Sequence, residues 1–249
     1  MKVSFTYHFN GQENLFSGDG NDVIRMAIEP IHYLARTSLI DAHRSFLSGK
    51  KIVEFGVCNG GSLQSFVTIF NEFKIPTESW GFDSFEGIPE EHLDPNNIWK
   101  KGDFTRGGHP PESLMNRDDI KLVKGWFEDS LNADVANLIG PGSIGIAHFD
   151  CDTYSSSLTC WRWLLENNLV SPGTIIVYDD WGAYKLKGCG EFEIGEAMAH
   201  LQISRNYGVE FEDLGEYNVI PNEYIVKIFR VSKLNQQKSF QKDSSMVIF

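Results

Sequence analysis

The chain has 249 residues, enough to bury roughly 70–75 % of its unfolded surface in one large core without staples. Hydrophobic residues make up 41 %, aromatic residues 13 % and charged residues 22 %, which excludes collagen-like, coiled-coil and wholly disordered chains. A net charge of −12 argues against a nucleic-acid partner, and Cys58, Cys151, Cys160 and Cys189 lack the pairing and spacing of a disulfide framework or zinc finger.

Residues 1–50 read as a helical cap, because Ile24, Ile28, Ile31, Leu34 and Ala35 recur at helical spacing and Gly49 ends the run. Lys51 to Gly56 then reads as a buried strand, followed by a glycine-rich turn and a helix carrying Leu63, Phe66, Val67, Phe70 and Phe73. Further strands are expected to end at Trp80–Asp83 and to run over Ile120–Val123, Ile144–Phe149 and Thr174–Tyr178, with helices around Leu158–Leu165 and Ile194–Leu201 between and after them. Val209–Leu214 and Tyr224–Val231 follow one another without a helix, so they are expected to pair antiparallel through 218–222. The expected fold is therefore α/β: a doubly wound, mostly parallel, seven-stranded sheet with an antiparallel C-terminal edge, spanning residues 51–233. The long insertion at 84–119, rich in proline and glycine, reads as a lid, and 234–249 as a polar, mobile tail. No apolar run approaches the 18 or so residues of a membrane span, and the first residues lack a signal-peptide core, so a soluble cytoplasmic protein without a membrane partner is expected.

In such sheets ligands gather at the carboxyl ends of the strands, where this chain places Gly56, Asp83, Gly125, Asp150, Asp179 and Asp180. The turn Glu54-Phe55-Gly56-Val57-Cys58-Asn59-Gly60-Gly61-Ser62 has Cys58 where a dinucleotide fingerprint needs its second glycine, and no Gly-Lys-Ser/Thr follows to make a phosphate loop. An acidic strand end before such a turn suits a cationic, phosphate-free cofactor, and S-adenosylmethionine fits that description. Asp83, ending the next strand, is placed to accept the hydroxyls of a ribose, although aspartate is equally a common cap for a loop such as Ser84–Gly87. Trp126 and Phe127 offer an aromatic wall to adenine, or simply core. Asp150, Asp152, Asp179 and Asp180 form the most informative group: four carboxylates at adjacent strand ends repel one another unless protons or a cation intervene, and hard oxygen ligands suit Mg²⁺. Solvated loop acids, or caps of the helix near Ser155 and Ser156, account for one of them more easily than for four. His148 reads as a core histidine that competes with Asp152 as a base, His109 as a loop histidine, and Trp181 and Tyr184 either as a stacking platform or as loop packing.

Glu54–Val57 with Gly60–Ser62, the segment Gly81–Pro89, Gly125–Leu131, Asp150–Tyr154 and the Asp179-Asp180 pair together resemble the macrocin O-methyltransferase family, in order over about residues 50–200. The resemblance implies a Rossmann-like, class I, S-adenosylmethionine-dependent methyltransferase that uses Mg²⁺, is often a homo-oligomer, and methylates a hydroxyl of a small molecule such as a natural-product sugar. It implies that Glu54, Gly56, Gly60, Ser62, Asp83, Ser84, Trp126 and Phe127 surround the cofactor, that Asp150, Asp179 and Asp180 hold the metal, and that Asp152 is the candidate base. Thr153, Ser155 and Ser156 depart from the family pattern, which bears on the acceptor rather than on the metal ligands. Two other readings remain: a metal-dependent glycosyltransferase, because Asp150-Cys151-Asp152 is also a D-x-D after an apolar strand, and a non-catalytic binding protein of the same fold.

Overall fold

A computed structural model of the chain describes residues 2–9, 12–19, 21–89, 98–220 and 224–235. In chain order its elements are β1 (Lys2–Phe9), β2 (Gln12–Asp19), α1 (Asn21–Ala42), α2 (Arg44–Leu47), β3 (Lys51–Phe55), α3 (Gly61–Glu72), β4 (Ser79–Asp83), β5 (Ile120–Lys124), α4 (Phe127–Ser130), α5 (Ala133–Ile139), β6 (Ile144–Phe149), α6 (Tyr154–Glu166), β7 (Ile175–Tyr178), α7 (Ala183–Lys187), α8 (Gly195–Tyr207), β8 (Val209–Ile220) and β9 (Tyr224–Leu234).

The main sheet has seven strands in the order β5-β4-β3-β6-β7-β9-β8. β5 through β7 are parallel, and β9 enters antiparallel to both β7 and β8. This is the doubly wound sheet with an antiparallel C-terminal edge that the alternation of apolar strands and helices predicts. The direction of winding reverses between β3 and β6, so a crevice opens there at the strand ends. β8 runs past the expected Leu214 because the pairing shifts register between Asp213 and Gly215, where Gly215 has φ +116° and its N–H meets Asp213 Oδ1 at 2.8 Å. A bulge of this kind absorbs one residue and lets the strand continue.

Strand parity assigns each sheet face to its own helical layer. Ile52, Ile146, Ile175 and Val177 pack with Ile31 and Leu39 of α1 and with Leu63, Phe66 and Phe70 of α3. Val53, Phe55, Ala147, Phe149, Ile176 and Tyr178 pack against α5, α6 and α8, with Trp161 and Leu164 fully buried. Both faces are covered, as a parallel sheet requires.

The N-terminal expectation needs correction. Residues 2–9 and 12–19 form an antiparallel hairpin before α1, rather than part of a helical cap. Val3, Phe5, Tyr7 and Phe9 alternate with polar residues, and that period of two belongs to a strand. Of the tail expected over 234–249, Leu234 instead ends β9 and Asn235 hydrogen-bonds Gly208 O at 2.9 Å, while 236–249 lie outside the described residues, as do positions 90–97 of the lid and 221–223 of the β8–β9 connection. Among the described residues no helix is long and apolar enough to cross a membrane.

Candidate active site

A cavity of about 390 Å³ opens at the strand ends and is lined by Gly56 and Cys58 after β3, Asp83 and Ser84 after β4, Gly125 to Phe127 after β5, Asp150 to Asp152 after β6 and Asp180 after β7. The expected convergence of strand ends on one crevice is therefore present. The lid supplies Gly87, Ile88, Pro89, Trp99, Asp103 and Phe104, with Trp99 and Phe104 packed edge to face. It is tied back by Arg106, which hydrogen-bonds Asn59 of the glycine turn, and by Arg106 N–H to Phe85 O at 2.9 Å.

Gly56 is where two strand ends meet most closely. Its φ is +88°, and a Cβ there would lie 1.8 Å from the carbonyl oxygen of Asp150. Only glycine permits both the conformation and the approach. Cys58, standing where a nucleotide fingerprint has glycine, still adopts φ +44°. Its N–H donates to Asp83 Oδ2 at 2.7 Å beside that of Val57 at 2.8 Å, while Asp83 Oδ1 accepts from Phe85 N–H at 2.6 Å. Asp83 thus holds the glycine turn and caps its own loop, and its half-buried carboxylate still faces the cavity.

Of the residues assigned to the cofactor from the sequence, Gly56, Asp83, Ser84, Trp126 and Phe127 line this cavity; Glu54, Gly60 and Ser62 do not. Gly60 abuts Leu114 of the lid, whose side chain fills the place of a Cβ. Glu54 is fully buried beneath the turn, on the α1/α3 face, with Oε2 3.0 Å from His148 Nδ1. Strand parity explains this: Glu54 follows Ile52 on the same face, so its carboxylate points into the layer below the turn.

The acidic residues do assemble. Asp150, Asp179 and Asp180 bring one carboxylate oxygen each within 4.8 Å of the others. Asp152, at φ +64°, hydrogen-bonds Asp180. None of these acids caps α6, because Thr153 Oγ1 accepts the N–H of Ser156 at 3.2 Å and takes that role. Burial, followed by the charge of Asp179, raises the pKa of Asp150 well above the usual carboxylate range and that of Asp180 to about 7. Burial and the charges of Asp180 and Asp150 likewise raise Asp152. Asp179 goes the other way: burial opposes its ionisation, but the contacts and charges of His148, His32 and Arg36 outweigh it and lower its pKa.

One ionisable residue escapes notice in the sequence, and another does more than the sequence suggests. Glu196, buried in the first turn of α8, accepts the backbone N–H of Asp180 at 3.0 Å and leaves Oε1 without a hydrogen-bond partner. A lone acid at a helix start normally reads as a favourable partner of the helix dipole, so nothing marks it. His148 is more than a core histidine: its Nε2 lies 3.4 Å from Asp179 Oδ1 while Nδ1 faces Glu54. Burial works against protonation of its ring, but Asp179 and Glu54 prevail and raise its pKa to about 9. His109 is exposed and outside the cavity lining. Trp181 is buried against Tyr178, His200 and Phe229, with its indole N–H on Glu191, so it packs the loop rather than presenting a stacking face.

One cavity thus joins the glycine turn and the aromatic side chains after β5 to a carboxylate cluster whose oxygens are of the kind that bind a divalent cation. No protein of curated function matches the chain by sequence. In structure it is similar to the O-methyltransferase NovP, with 17 % identity, a TM-score of 0.56 and coverage of 81 % of this chain and 79 % of that one. It is also similar to a candidate O-methyltransferase from Klebsiella pneumoniae, with 15 % identity, a TM-score of 0.50 and coverage of 86 % and 92 %. These likenesses share the fold of the seven-stranded sheet. The family described as "Methyltransferase domain" matches residues 53–181, from β3 through the acidic pair after β7. By that match the chain belongs to the methyltransferase domain family.

Proposed function

We propose that the protein transfers a methyl group from S-adenosylmethionine to a hydroxyl of a small molecule, with Mg²⁺ held by Asp150, Asp179 and Asp180. The observation that carries this reading is that one cavity is lined both by Gly56, Asp83 and Trp126 and by Asp150 and Asp180 of the carboxylate cluster, with Asp179 buried beside them. The donor set fits a hard divalent cation: three carboxylates share one small volume, and burial, followed by the charge of Asp179, raises the pKa of the other two. The other half of the cavity fits a nucleoside-bearing sulfonium, with a half-buried acid for hydroxyls, aromatic side chains for a base, and glycine backbone at the closest approach.

When bound, the cofactor supplies an activated methyl group and the ion supplies polarisation of the acceptor oxygen. The protein's own work is alignment and proton removal. Asp152 stands beside Asp180 at the cavity wall, and burial with the charges of Asp180 and Asp150 raises its proton affinity, which suits a base facing the space in which an acceptor hydroxyl would lie. Holding donor and acceptor in register supplies up to about 7–11 kcal/mol of the barrier reduction in favourable cases. Trp99, Phe104, Ile88 and Leu186 give the cavity an apolar lining. An acceptor of the sugar or natural-product class agrees with the resemblance of the motifs.

Calorimetry with S-adenosylmethionine and Mg²⁺, followed by methyl transfer to panels of sugar, phenol and peptide hydroxyls, tests the reading. Binding of the cofactor with Mg²⁺-stimulated transfer to one panel supports it. A folded protein that takes up neither ligand overturns it.

A further inference from the structure

Three ionisable residues lie side by side across the centre of the sheet. Glu54 of β3 pairs directly with His148 of β6, and His148 pairs with Val177 of β7, two residues before Asp179. By parity all three face α1 and α3, on the side where Ile52, Ile146 and Val177 bury. Glu54 and His148 are each 0 % exposed, with Nδ1 3.0 Å from Oε2, and Nε2 is 3.4 Å from Asp179 Oδ1. The edge of the Phe66 ring closes over the imidazole, and Arg36 of α1 lies over that ring at 4.8 Å. The imidazole cannot turn without breaking both contacts.

Buried charged groups of this kind seldom add stability over well-packed apolar residues. A histidine braced by one carboxylate and aimed at another is, however, the arrangement that fixes a metal-binding group in place from behind. We propose that Glu54 and His148 are positioning residues for the metal site: Glu54 orients His148, and His148 holds the carboxylate of Asp179 toward Asp150 and Asp180. Glu54 then belongs to the acidic cluster two strands away rather than to the cofactor above it. The inference rests on the proposed reading of that cluster as a Mg²⁺ site.

The test uses Glu54→Gln and His148→Asn in the full chain, with Mg²⁺ affinity read by calorimetry, Mn²⁺ affinity by electron paramagnetic resonance, and S-adenosylmethionine affinity measured separately. The expected result is a loss of metal affinity of about 10-fold or more in each variant, the range typical of such supporting partners, with cofactor affinity within about twofold of wild type. The double variant should bind metal no more weakly than His148→Asn alone, because the two residues act through one contact. Circular dichroism confirms folding, and if one variant fails to fold the other carries the test. Unchanged metal affinity in a folded variant overturns the inference, as does a Glu54→Gln variant that loses cofactor affinity and keeps metal. Absence of metal binding in the wild type has a different meaning: it sinks the Mg²⁺ reading of the cluster itself and this inference with it.

Discussion

The carboxylate of Asp83 accepts the backbone N–H of Cys58 at 2.7 Å, so the end of β4 holds in place the turn that follows β3. Val57 and Phe85 donate to the same carboxylate. Asp83→Ala removes three bonds to a charged acceptor and is expected to cost about 2 kcal/mol of stability by urea denaturation. It should also weaken S-adenosylmethionine at least about tenfold by calorimetry, while Mg²⁺ affinity stays near wild type. Equal loss of both ligands in a folded variant would show that the two halves of the cavity are not separable.

Gly56→Ala is expected to be among the most damaging single changes in the chain. The added methyl would meet the Asp150 carbonyl at 1.8 Å in a backbone conformation that alanine disfavours, and neither strand end can move without disturbing the sheet. A loss of about 3 kcal/mol or more is expected by chemical denaturation.

Asp152→Asn tests the base. The amide keeps the size of the side chain but cannot take the acceptor's proton, so kcat should fall by about 10²–10⁴ with cofactor affinity unchanged. Asp150→Asn should instead remove Mg²⁺ binding in calorimetry. If Asp152→Asn retains full kcat, the proton leaves by another route.

The metal-free protein should lose stability as pH rises from about 6.5 to 8.5. Asp180, with its folded pKa raised to about 7, and His148, raised to about 9, both hold protons in the native state that the unfolded chain has already released. Stabilisation from such groups is complete below the unfolded pKa and is lost as pH passes the folded one. His32 and His200, lowered to about 4 and about 3, are already neutral in the native state, and the unfolded chain completes their deprotonation by about pH 7.5, so they oppose the trend only at the start of the window. Thermal melts with a chelator should therefore show Tm falling with pH, by about 2–4 °C for each kcal/mol lost, and added Mg²⁺ should restore most at the alkaline end. A Tm that rises with pH in chelator would contradict the crowding of these acids.

Much of this architecture is written in periodicities. The apolar runs at 51–55, 144–149 and 175–178 each alternate with a helix, and that alternation already implies a parallel sheet with Gly56, Asp83, Asp150 and Asp180 at one rim. What stays hidden is register and facing. Nothing in the sequence says that Glu54 lies opposite His148, because pairing between strands about 90 residues apart depends on how helices seat on the sheet. Glu54 at a strand end before a glycine turn therefore reads as a cofactor contact until its parity with Ile52 is set beside the α1/α3 face. The hairpin at 2–19 is obscured for a different reason: β1 alternates clearly, but Gln12–Asp19 is polar and weakly patterned, and the strong helical spacing that follows dominates the reading.

The placement of β9 between β7 and β8 also shapes how the molecule is made. Until residues 224–234 have emerged from the ribosome, one side of β7 stands open, with unmatched amides beside the residues that lead into Asp179 and Asp180. A nascent chain can assemble β3 to β6 in turn, yet the acid-bearing turn gains its final support only when the last strand slides in. Completion of the acidic rim and closure of an aggregation-prone edge thus coincide in one late event.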